Sequence, residues 1–232
     1  IPDTKWKKNN LGKGWVIGET LITGIGQGYT QTTPLQLCQM TAQLANGGFK
    51  IYPKIVVDEN SKSAEEIRII INENRKELNK KNKRLKDATE LLGFLNKKEH
   101  EPLFKYSKNI KLVREAMFAS TNEVRGTSYS SRIEDPKYQF AGKTGTSQVR
   151  RITKAARELD LNTSEIPYNE RDHALYIAFG PYKNPRYAVS IVVEHGGSGS
   201  STAAPIAKKL FKLIIDKHEL RQQIQIKKNI KI

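Results

Sequence analysis

The tripeptide Lys143-Thr144-Gly145 is the part of the sequence whose residue types fit a chemical task most closely. At the edge of a sheet, backbone N–H and C=O groups can pair with an extended peptide as an added strand, and a glycine lets that backbone come close. A lysine ammonium beside threonine hydroxyls, here Thr144 and Thr146, can hold a carboxylate through charge-assisted hydrogen bonds. Because three residues recur by chance, a surface lysine in a turn is the alternative interpretation.

Motifs for other chemistries are incomplete. A phosphate-binding loop ending in Gly142-Lys143-Thr144 needs a glycine five positions earlier, where Lys137 stands. The segment Gly24–Gly28 lacks the spacing of a dinucleotide-binding fingerprint and predicts a tight turn. Asp172 and His173 could belong to a hydrolase triad, but the chain has no G-x-S-x-G elbow. These readings are therefore disfavoured.

Three longer stretches occur in a fixed order along the chain. They are Gly14–Gly48, which contains GQGYTQTTPLQL, then Phe140–Val149, which reads FAGKTGTSQV, and Asp172–Leu210, which begins DHALYIAFGPYKNPRYAV. Together they resemble the transpeptidase domain of class B penicillin-binding proteins. Within that family they are most similar to the elongation-type penicillin-binding protein 2 group of peptidoglycan D,D-transpeptidases. Residues 58–106 and 150–171 match little.

The resemblance implies a function and roles for the tripeptide. The family cross-links peptidoglycan stem peptides by serine acyl transfer from a D-Ala-D-Ala donor, and β-lactams acylate it. By resemblance, Lys143 lines the cleft and helps a proton relay, the Thr144 and Thr146 hydroxyls bind the terminal carboxylate, and Gly145 belongs to the same substrate-binding edge. The backbone N–H of Thr146 forms half of an oxyanion hole. No metal or organic cofactor is implied.

The family's serine and its activating lysine lie in an S-x-x-K motif, followed by S-x-N and then K-T-G. The sequence has no S-x-x-K, and Thr4-Lys5-Trp6-Lys7 shares only its spacing. Ser107-Lys108-Asn109 is an S-x-N, but it follows the GQGY stretch that the family's copy precedes, so we assign it no role. We therefore expect the chain to begin downstream of the nucleophile and to be inactive alone. The alternative is a remnant of a split or decayed gene that binds peptides or partners at most.

The expected fold class is α+β. The resemblance implies an antiparallel five-stranded sheet flanked by helices, as in penicillin-binding proteins and serine β-lactamases, with the K-T-G strand at one edge. Strand-like runs at 138–144, 174–179 and 187–194 predict three of these strands, and Gly180–Pro185 predicts the turn of a hairpin. As a C-terminal part only, the chain would lack the first strands and the nucleophile helix.

Three helices are predicted: two precede the first strand in the sequence, and one follows the last strand. Thr33 as N-cap, Pro34 at the first helical position and Asn46-Gly47-Gly48 as the end define one helix. A second covers Ile110–Ser120, with an inward side made of Val113, Met117 and Phe118. A final helix is capped by Ser201 or Thr202, and the chain is expected to fray from Gln222.

Residues 58–106 are rich in Lys, Asn and Glu and predict a helical insertion. Spacings of four and three form one stripe, made of Ile67, Ile71, Asn74, Leu78, Lys81, Leu85, Ala88, Leu92 and Leu95. The stripe is typical of an amphipathic helix or helical hairpin lying on the domain, or of a short coiled-coil site. We expect residues 1–220 to be the C-terminal part of the transpeptidase domain, with this insertion, and 221–232 to be a basic tail.

Composition limits the remaining classes. The chain has 232 residues and a net charge of +16, and its 37% of hydrophobic residues exclude wholesale disorder. The basic excess lies in the insertion and the C-terminal segment without the aromatic and basic alternation of single-strand binders, so no nucleic acid is expected. This excess of basic residues fits a solvated surface, or a surface that contacts an anionic membrane or polymer. The single cysteine, Cys38, excludes an internal disulfide and is expected to be a small buried residue.

The resemblance also implies a location and partners. It places the protein at the periplasmic face of the inner membrane, anchored by an N-terminal helix that is not in this chain. The implied partners are stem peptides, β-lactams and membrane proteins of the elongation machinery. No run of the sequence approaches the length of apolar residues that a membrane span needs.

Overall fold

In the computed structural model, the described residues are 2–55, 62–82, 99–149 and 161–230. Helices and strands pack as an α+β fold. The helices are α1 (Thr4–Leu11), α2 (Ile17–Gly24), α3 (Pro34–Ala45), α4 (Ala64–Asn82), α5 (Ser107–Asn122) and α6 (Ala204–Ile230). The strands are β1 (Ala141–Ser147), β2 (His173–Gly180) and β3 (Tyr187–Val193).

The three strands form an antiparallel sheet in the order β1-β2-β3. Thr144 pairs with Tyr176 across β1 and β2, and Ile177 pairs with Ser190 across β2 and β3. Within the described residues β1 therefore ends the sheet, as predicted for the strand that carries the K-T-G tripeptide. β2 and β3 form the predicted hairpin.

The first strand begins later than the sequence predicts, at Ala141 instead of Tyr138. The Tyr138 N–H donates to the Asp135 carbonyl at 3.0 Å, and the Lys137 N–H donates to the Asp135 side chain at 2.9 Å. These bonds close a turn, so Tyr138 is not available to pair with β2. The strand then runs on to Ser147, three residues beyond the predicted end.

Helix α6 covers one face of the sheet. Its buried side chains Phe211 and Ile215 lie in one core with Tyr176 and Phe140. The rings of Phe140 and Phe211 stack with their centroids 4.9 Å apart. The small residues of the core, Ala174, Ala178, Ala203, Ala204 and Ala207, are fully buried, which lets the helix lie close to the strands.

Helices α3 and α5 cover the opposite face, where Ala45 and Met117 pack with Ala141 and Phe179. The start of α3 is as predicted: the Thr33 hydroxyl accepts from the Gln36 N–H, and the Gln36 side chain accepts in return. This reciprocal cap satisfies two N–H groups that the first turn of a helix leaves free.

Helix α5 is longer than predicted, and one residue of its expected inward side is not buried. Met117 is buried and Phe118 is half-buried, as predicted, but Val113 is 41% exposed. The prediction for Val113 is wrong because α5 lies along β1 with its C-terminal part, and Val113 instead lines a groove beside Lys143. Helical spacing alone does not reveal which part of a stripe meets a neighbour.

Helix α4 lies on the domain, as predicted for an amphipathic helix in the segment that we interpret as an insertion. Three positions of the predicted stripe, Ile71, Asn74 and Leu78, are buried; the positions Leu85, Ala88, Leu92 and Leu95 fall outside the described residues. The polar Asn74 is accommodated because its side chain donates to the Glu99 carbonyl at 2.9 Å. Two arginines fix the helix to the body: Arg68 donates to the Pro185 carbonyl and Arg75 to the Asn46 carbonyl.

The C-terminal helix differs from the prediction at both ends. It follows a π-helical turn at Gly199–Ala203, so neither Ser201 nor Thr202 caps it. It continues to Ile230, through the segment expected to fray. In the part of the chain that the structure describes, no helix combines the length and apolarity of a membrane span. Cys38 is half-buried rather than buried, and this burial raises the pKa of its thiol.

Replacing Phe211 by alanine tests the core between α6 and the sheet. We expect Phe211→Ala to lower the free energy of unfolding by about 3–5 kcal/mol, because a stacked, fully buried ring is lost. Leu213→Ala, on the same helix but 50% exposed, should cost about 1 kcal/mol or less. Urea unfolding of both variants measures the difference, and equal losses would contradict the packing described.

Candidate active site

Lys143 and Thr144 converge at the outer edge of β1. The exposed Lys143 ammonium lies 3.2 Å from the Thr144 hydroxyl oxygen and donates to the Thr144 carbonyl at 2.9 Å. Three polar groups of two neighbouring residues are thus gathered at one point of the strand edge. The arrangement offers an ammonium and a hydroxyl to an anionic group.

The outer edge of β1 is covered at its start and open further along. The Gly142 N–H donates to the Thr121 side chain of α5 at 3.0 Å, so it points away from β2. Along an antiparallel strand every second residue directs its N–H and C=O to the same side. The N–H groups of Thr144 and Thr146 therefore also point away from β2, where a peptide can pair with them. Thr146 itself is exposed.

Gly145 pairs with Leu175 of β2, and Gly199 packs against the backbone of this pair. A Cβ atom at Gly199 would lie 2.5 Å from the Leu175 carbonyl oxygen and 2.7 Å from that of Gly145. Both distances are shorter than real Cβ contacts. The turn before α6 can therefore press against the K-T-G segment only because residue 199 is glycine.

Two grooves flank this strand. One has a volume of about 480 Å³ and lies between α5 and Lys143, with Val113, Met117 and Thr127 in its lining. The other has about 1000 Å³ and lies between the glycine-rich turn at residues 25–28 and the outer half of β1, including Thr146. The structure thus brings together the first and second stretches that carried the family resemblance.

A buried cluster of hydroxyl groups supports β1 from beneath. The Tyr176 hydroxyl lies 2.9 Å from the Thr121 side-chain oxygen and 3.0 Å from that of Ser128. Ser128 also donates to the Ser120 carbonyl at 3.0 Å. Burial raises the pKa of Tyr176, although the bonds to Ser128 and Thr121 oppose this. The cluster ties the end of α5, the loop after it and β2 to the start of β1.

The sequence prediction missed Thr121, Thr127, Ser128 and Tyr176 as neighbours of the site. These positions follow no common spacing, since they lie on a helix, a loop and a strand. In the sequence, Gly126-Thr127 indicates a turn and no role in a site. Ser107 and Asn109, from an S-x-N to which we assign no role, lie on the first turn of α5, about 20 Å along the helix from Ser120. A second S-x-N, Ser120-Thr121-Asn122, ends this helix.

Among the described residues, no cluster of three or more His, Cys, Asp or Glu side chains could hold a metal ion. His173 and His195 lie together, but the His173 Nδ1 accepts from the His195 N–H at 2.9 Å, and the His195 Nδ1 is 3.0 Å from the Arg171 carbonyl. Both rings thus form hydrogen bonds with backbone groups next to the start of β2 and the end of β3.

A mixed fold with an antiparallel sheet and a lysine-bearing open edge defines a domain suited to binding an extended peptide. The family described as "Penicillin binding protein transpeptidase domain" matches residues 3–212, and the chain belongs to this family. Peptidoglycan D,D-transpeptidase MrdA of Salmonella typhimurium strain SL1344 is 33% identical over 217 residues, which are 93% of this chain and 30% of the relative. MrdA of Escherichia coli K12 is 29% identical over 220 residues, 93% of this chain and 29% of that protein.

Solved structures agree with the family. A complex of a penicillin-binding protein (PBP2) with MreC from Helicobacter pylori gives a TM-score of 0.62 at 30% identity, covering 94% of this chain and 31% of that one. Pseudomonas aeruginosa PBP2 in complex with WCK 5153 also gives 0.62 at 30% identity, covering 92% and 37%. The chain thus spans about a third of the length of the proteins it resembles.

Substituting Gly199 tests the close contact behind the K-T-G segment. We expect Gly199→Ala to lower the free energy of unfolding by about 1–3 kcal/mol, because backbone carbonyls cannot rotate away from the new methyl group. Gly14→Ala is the matched control, since a Cβ there meets nothing within 4 Å, and should change stability by about 0.5 kcal/mol at most. Urea unfolding and hydrogen exchange at Gly145 measure the effect. Unchanged exchange and stability in Gly199→Ala would contradict the contact.

Proposed function

We propose that this chain is the C-terminal portion of the catalytic domain of a peptidoglycan D,D-transpeptidase. The observation that carries the proposal is the convergence of the Lys143 ammonium and the Thr144 hydroxyl at the open edge of β1. An extended peptide ending in D-Ala-D-Ala pairs with this edge, and its carboxylate accepts hydrogen bonds from the Thr144 and Thr146 hydroxyls near Lys143. The same edge accommodates the carboxylate of a β-lactam.

In the proposed reaction a serine hydroxyl attacks the carbonyl carbon of the penultimate D-Ala. The serine proton passes to the amide nitrogen, the terminal D-Ala leaves as a free amino acid, and the peptide remains as an ester of the serine. The amine of a second stem peptide then attacks the ester, forming the cross-link and returning the proton to the serine. The Thr146 N–H, which points away from β2, stabilises the negative charge that develops on the carbonyl oxygen in both steps.

The sequence contains no S-x-x-K motif, so the proposal requires a serine and a lysine from another part of the protein. The groove of about 480 Å³ beside Lys143 is mainly apolar in its lining, with Val113, Ala116 and Met117. It is open to solvent and leaves room next to the ammonium for the element that supplies the serine. The chain taken alone would then be inactive.

The proposal includes a location and partners. By family resemblance, the protein works at the periplasmic face of the inner membrane, held there by a segment outside this chain. Its partners are stem peptides, β-lactams and membrane proteins of the elongation machinery. The solved complex of H. pylori PBP2 with MreC, at 30% identity, supports a partner of this last kind.

A fluorescent penicillin separates a complete enzyme from a remnant. We expect no covalent labelling of this 232-residue chain, because the nucleophile is absent from it, and clear labelling of the full-length protein. Competition by unlabelled ampicillin controls for adsorption of the dye. Labelling of the isolated chain would refute the requirement for an external serine. A stop codon upstream of this chain, in place of an in-frame S-x-x-K and S-x-N, would support the remnant, a module that binds peptides or partners without turnover.

Lys143→Ala in the full-length protein tests the role of the ammonium. We expect the second-order rate constant of acylation to fall by about 10²-fold or more, since the group takes part in proton transfer and attracts the carboxylate. Lys183→Ala is the matched control, because Lys183 is exposed in the turn between β2 and β3, and acylation should be unchanged. Stopped-flow measurements with a penicillin give both constants. Normal acylation of the Lys143 variant would remove this residue from the mechanism.

A further inference from the structure

The C-terminal end of α5 carries two adjacent hydroxyl residues, and each begins a separate connection to β1. The Thr121 hydroxyl oxygen, part of the buried cluster described above, accepts from the Gly142 N–H. Ser120 is connected to the exposed edge of β1. Its hydroxyl oxygen lies 3.2 Å from the Thr127 hydroxyl oxygen, and the Thr127 oxygen lies 3.4 Å from the Thr144 hydroxyl oxygen. The outer connection therefore reaches the proposed carboxylate site, whereas the inner one fixes the strand beneath it.

The position of Thr127 is set by the backbone. A Cβ at the preceding Gly126 would lie 2.4 Å from the Ser120 carbonyl oxygen and 2.5 Å from that of Ala119, so only glycine lets the chain pass this close to the end of α5. On the other side the Ser128 N–H donates to the Ser120 carbonyl at 3.0 Å. Thr127 is held between these two contacts, yet its side chain is exposed and lines the groove with Lys143.

The donors present fix the direction of one hydrogen bond and allow a single direction for the others. The Lys143 ammonium can only donate, so the Thr144 oxygen accepts from it. A hydroxyl has one proton and two lone pairs, so the Thr144 oxygen can accept a second bond, from Thr127, and still donate its own proton. With Ser120 donating to Thr127, every proton in the chain points toward the edge where a carboxylate would bind. Such chains polarise one another and strengthen the last bond.

We propose that Thr127 is a positioning residue that orients the Thr144 hydroxyl so that its proton is directed at the substrate carboxylate. The inference rests on the proposed function, since it needs the carboxylate that function supplies. The oxygen separation of 3.4 Å between Thr127 and Thr144 is longer than a full O–H···O bond. It shortens when the anion draws the Thr144 proton outward, as hydrogen bonds in unliganded sites commonly do.

The test compares two acylating agents that differ only in the carboxylate: benzylpenicillin and its methyl ester. In the full-length protein we expect Thr127→Val to slow acylation by benzylpenicillin about five- to tenfold, the effect of losing one hydrogen bond. Acylation by the ester, which presents no carboxylate, should change by less than about twofold. Thr127→Ser keeps the hydroxyl and should restore the rate with benzylpenicillin.

Two further variants complete the design. Ser120→Ala removes the first hydroxyl of the hydrogen-bond chain. It should slow acylation by benzylpenicillin by a smaller factor than Thr127→Val does, and acylation by the ester should again be unaffected. Thr20→Val is the matched control, because it also removes a bonded threonine hydroxyl, one that accepts from the Trp15 indole N–H at 2.9 Å on α2. It should leave both rates unchanged.

The outcomes are distinguishable. Equal slowing of both agents in Thr127→Val would show a structural role and overturn the inference, as would an unchanged rate with benzylpenicillin. If the unsubstituted full-length protein is acylated by neither agent, the proposed function fails, and the positioning role fails with it. The inference is supported if Thr127→Val slows acylation by benzylpenicillin alone and Thr127→Ser restores that rate.

Discussion

The arrangement of the candidate site depends on one hydrogen bond, from the Gly142 N–H to the Thr121 side chain. An edge strand exposes unpaired backbone groups to any other chain. Here the first outward N–H is satisfied by α5, which closes the start of the edge, and those of Thr144 and Thr146 stay open. The bond thus determines where on β1 a peptide can begin to pair, and it sets the Lys143 ammonium against the end of α5.

That bond is held in place by close packing against two points of the strand. At Gly142 a Cβ would lie 2.3 Å from the Tyr176 hydroxyl, and at Gly199 it would lie 2.5 Å from the Leu175 carbonyl. Tyr176 is fully buried and cannot move aside. A site whose supporting groups are locked by packing loses little on binding a ligand, because its geometry is already formed. The glycines around the tripeptide therefore make the site rigid, because they allow close packing; they do not make it flexible.

The sequence predicted the parts of this arrangement that have local causes. The reciprocal cap of Thr33 and Gln36 and the glycines after Asn46 identified α3 almost to the residue. Lys143 and Thr144 were recognisable from their order in a tripeptide and from the stretches around it. Thr121 and Tyr176 could not be found in the same way, because they meet only when a helix and a strand 55 residues apart in sequence are packed together. The exposure of Val113 and the turn at Asp135 likewise depend on tertiary contacts.

Helix α4, in the segment that we interpret as an insertion, is anchored away from the candidate site. Arg68 fixes it to the Pro185 carbonyl and Arg75 fixes it to the Asn46 carbonyl. Pro185 lies in the turn between β2 and β3, beside the end of the sheet where Ala141 pairs with Phe179. Thr146 pairs with Ala174 toward the other end. Since β1 rises about 3.4 Å per residue, roughly 10 Å of strand separate Ala141 from Thr144, and roughly 17 Å separate it from Thr146. The helix can therefore vary without touching the groups that would hold a carboxylate.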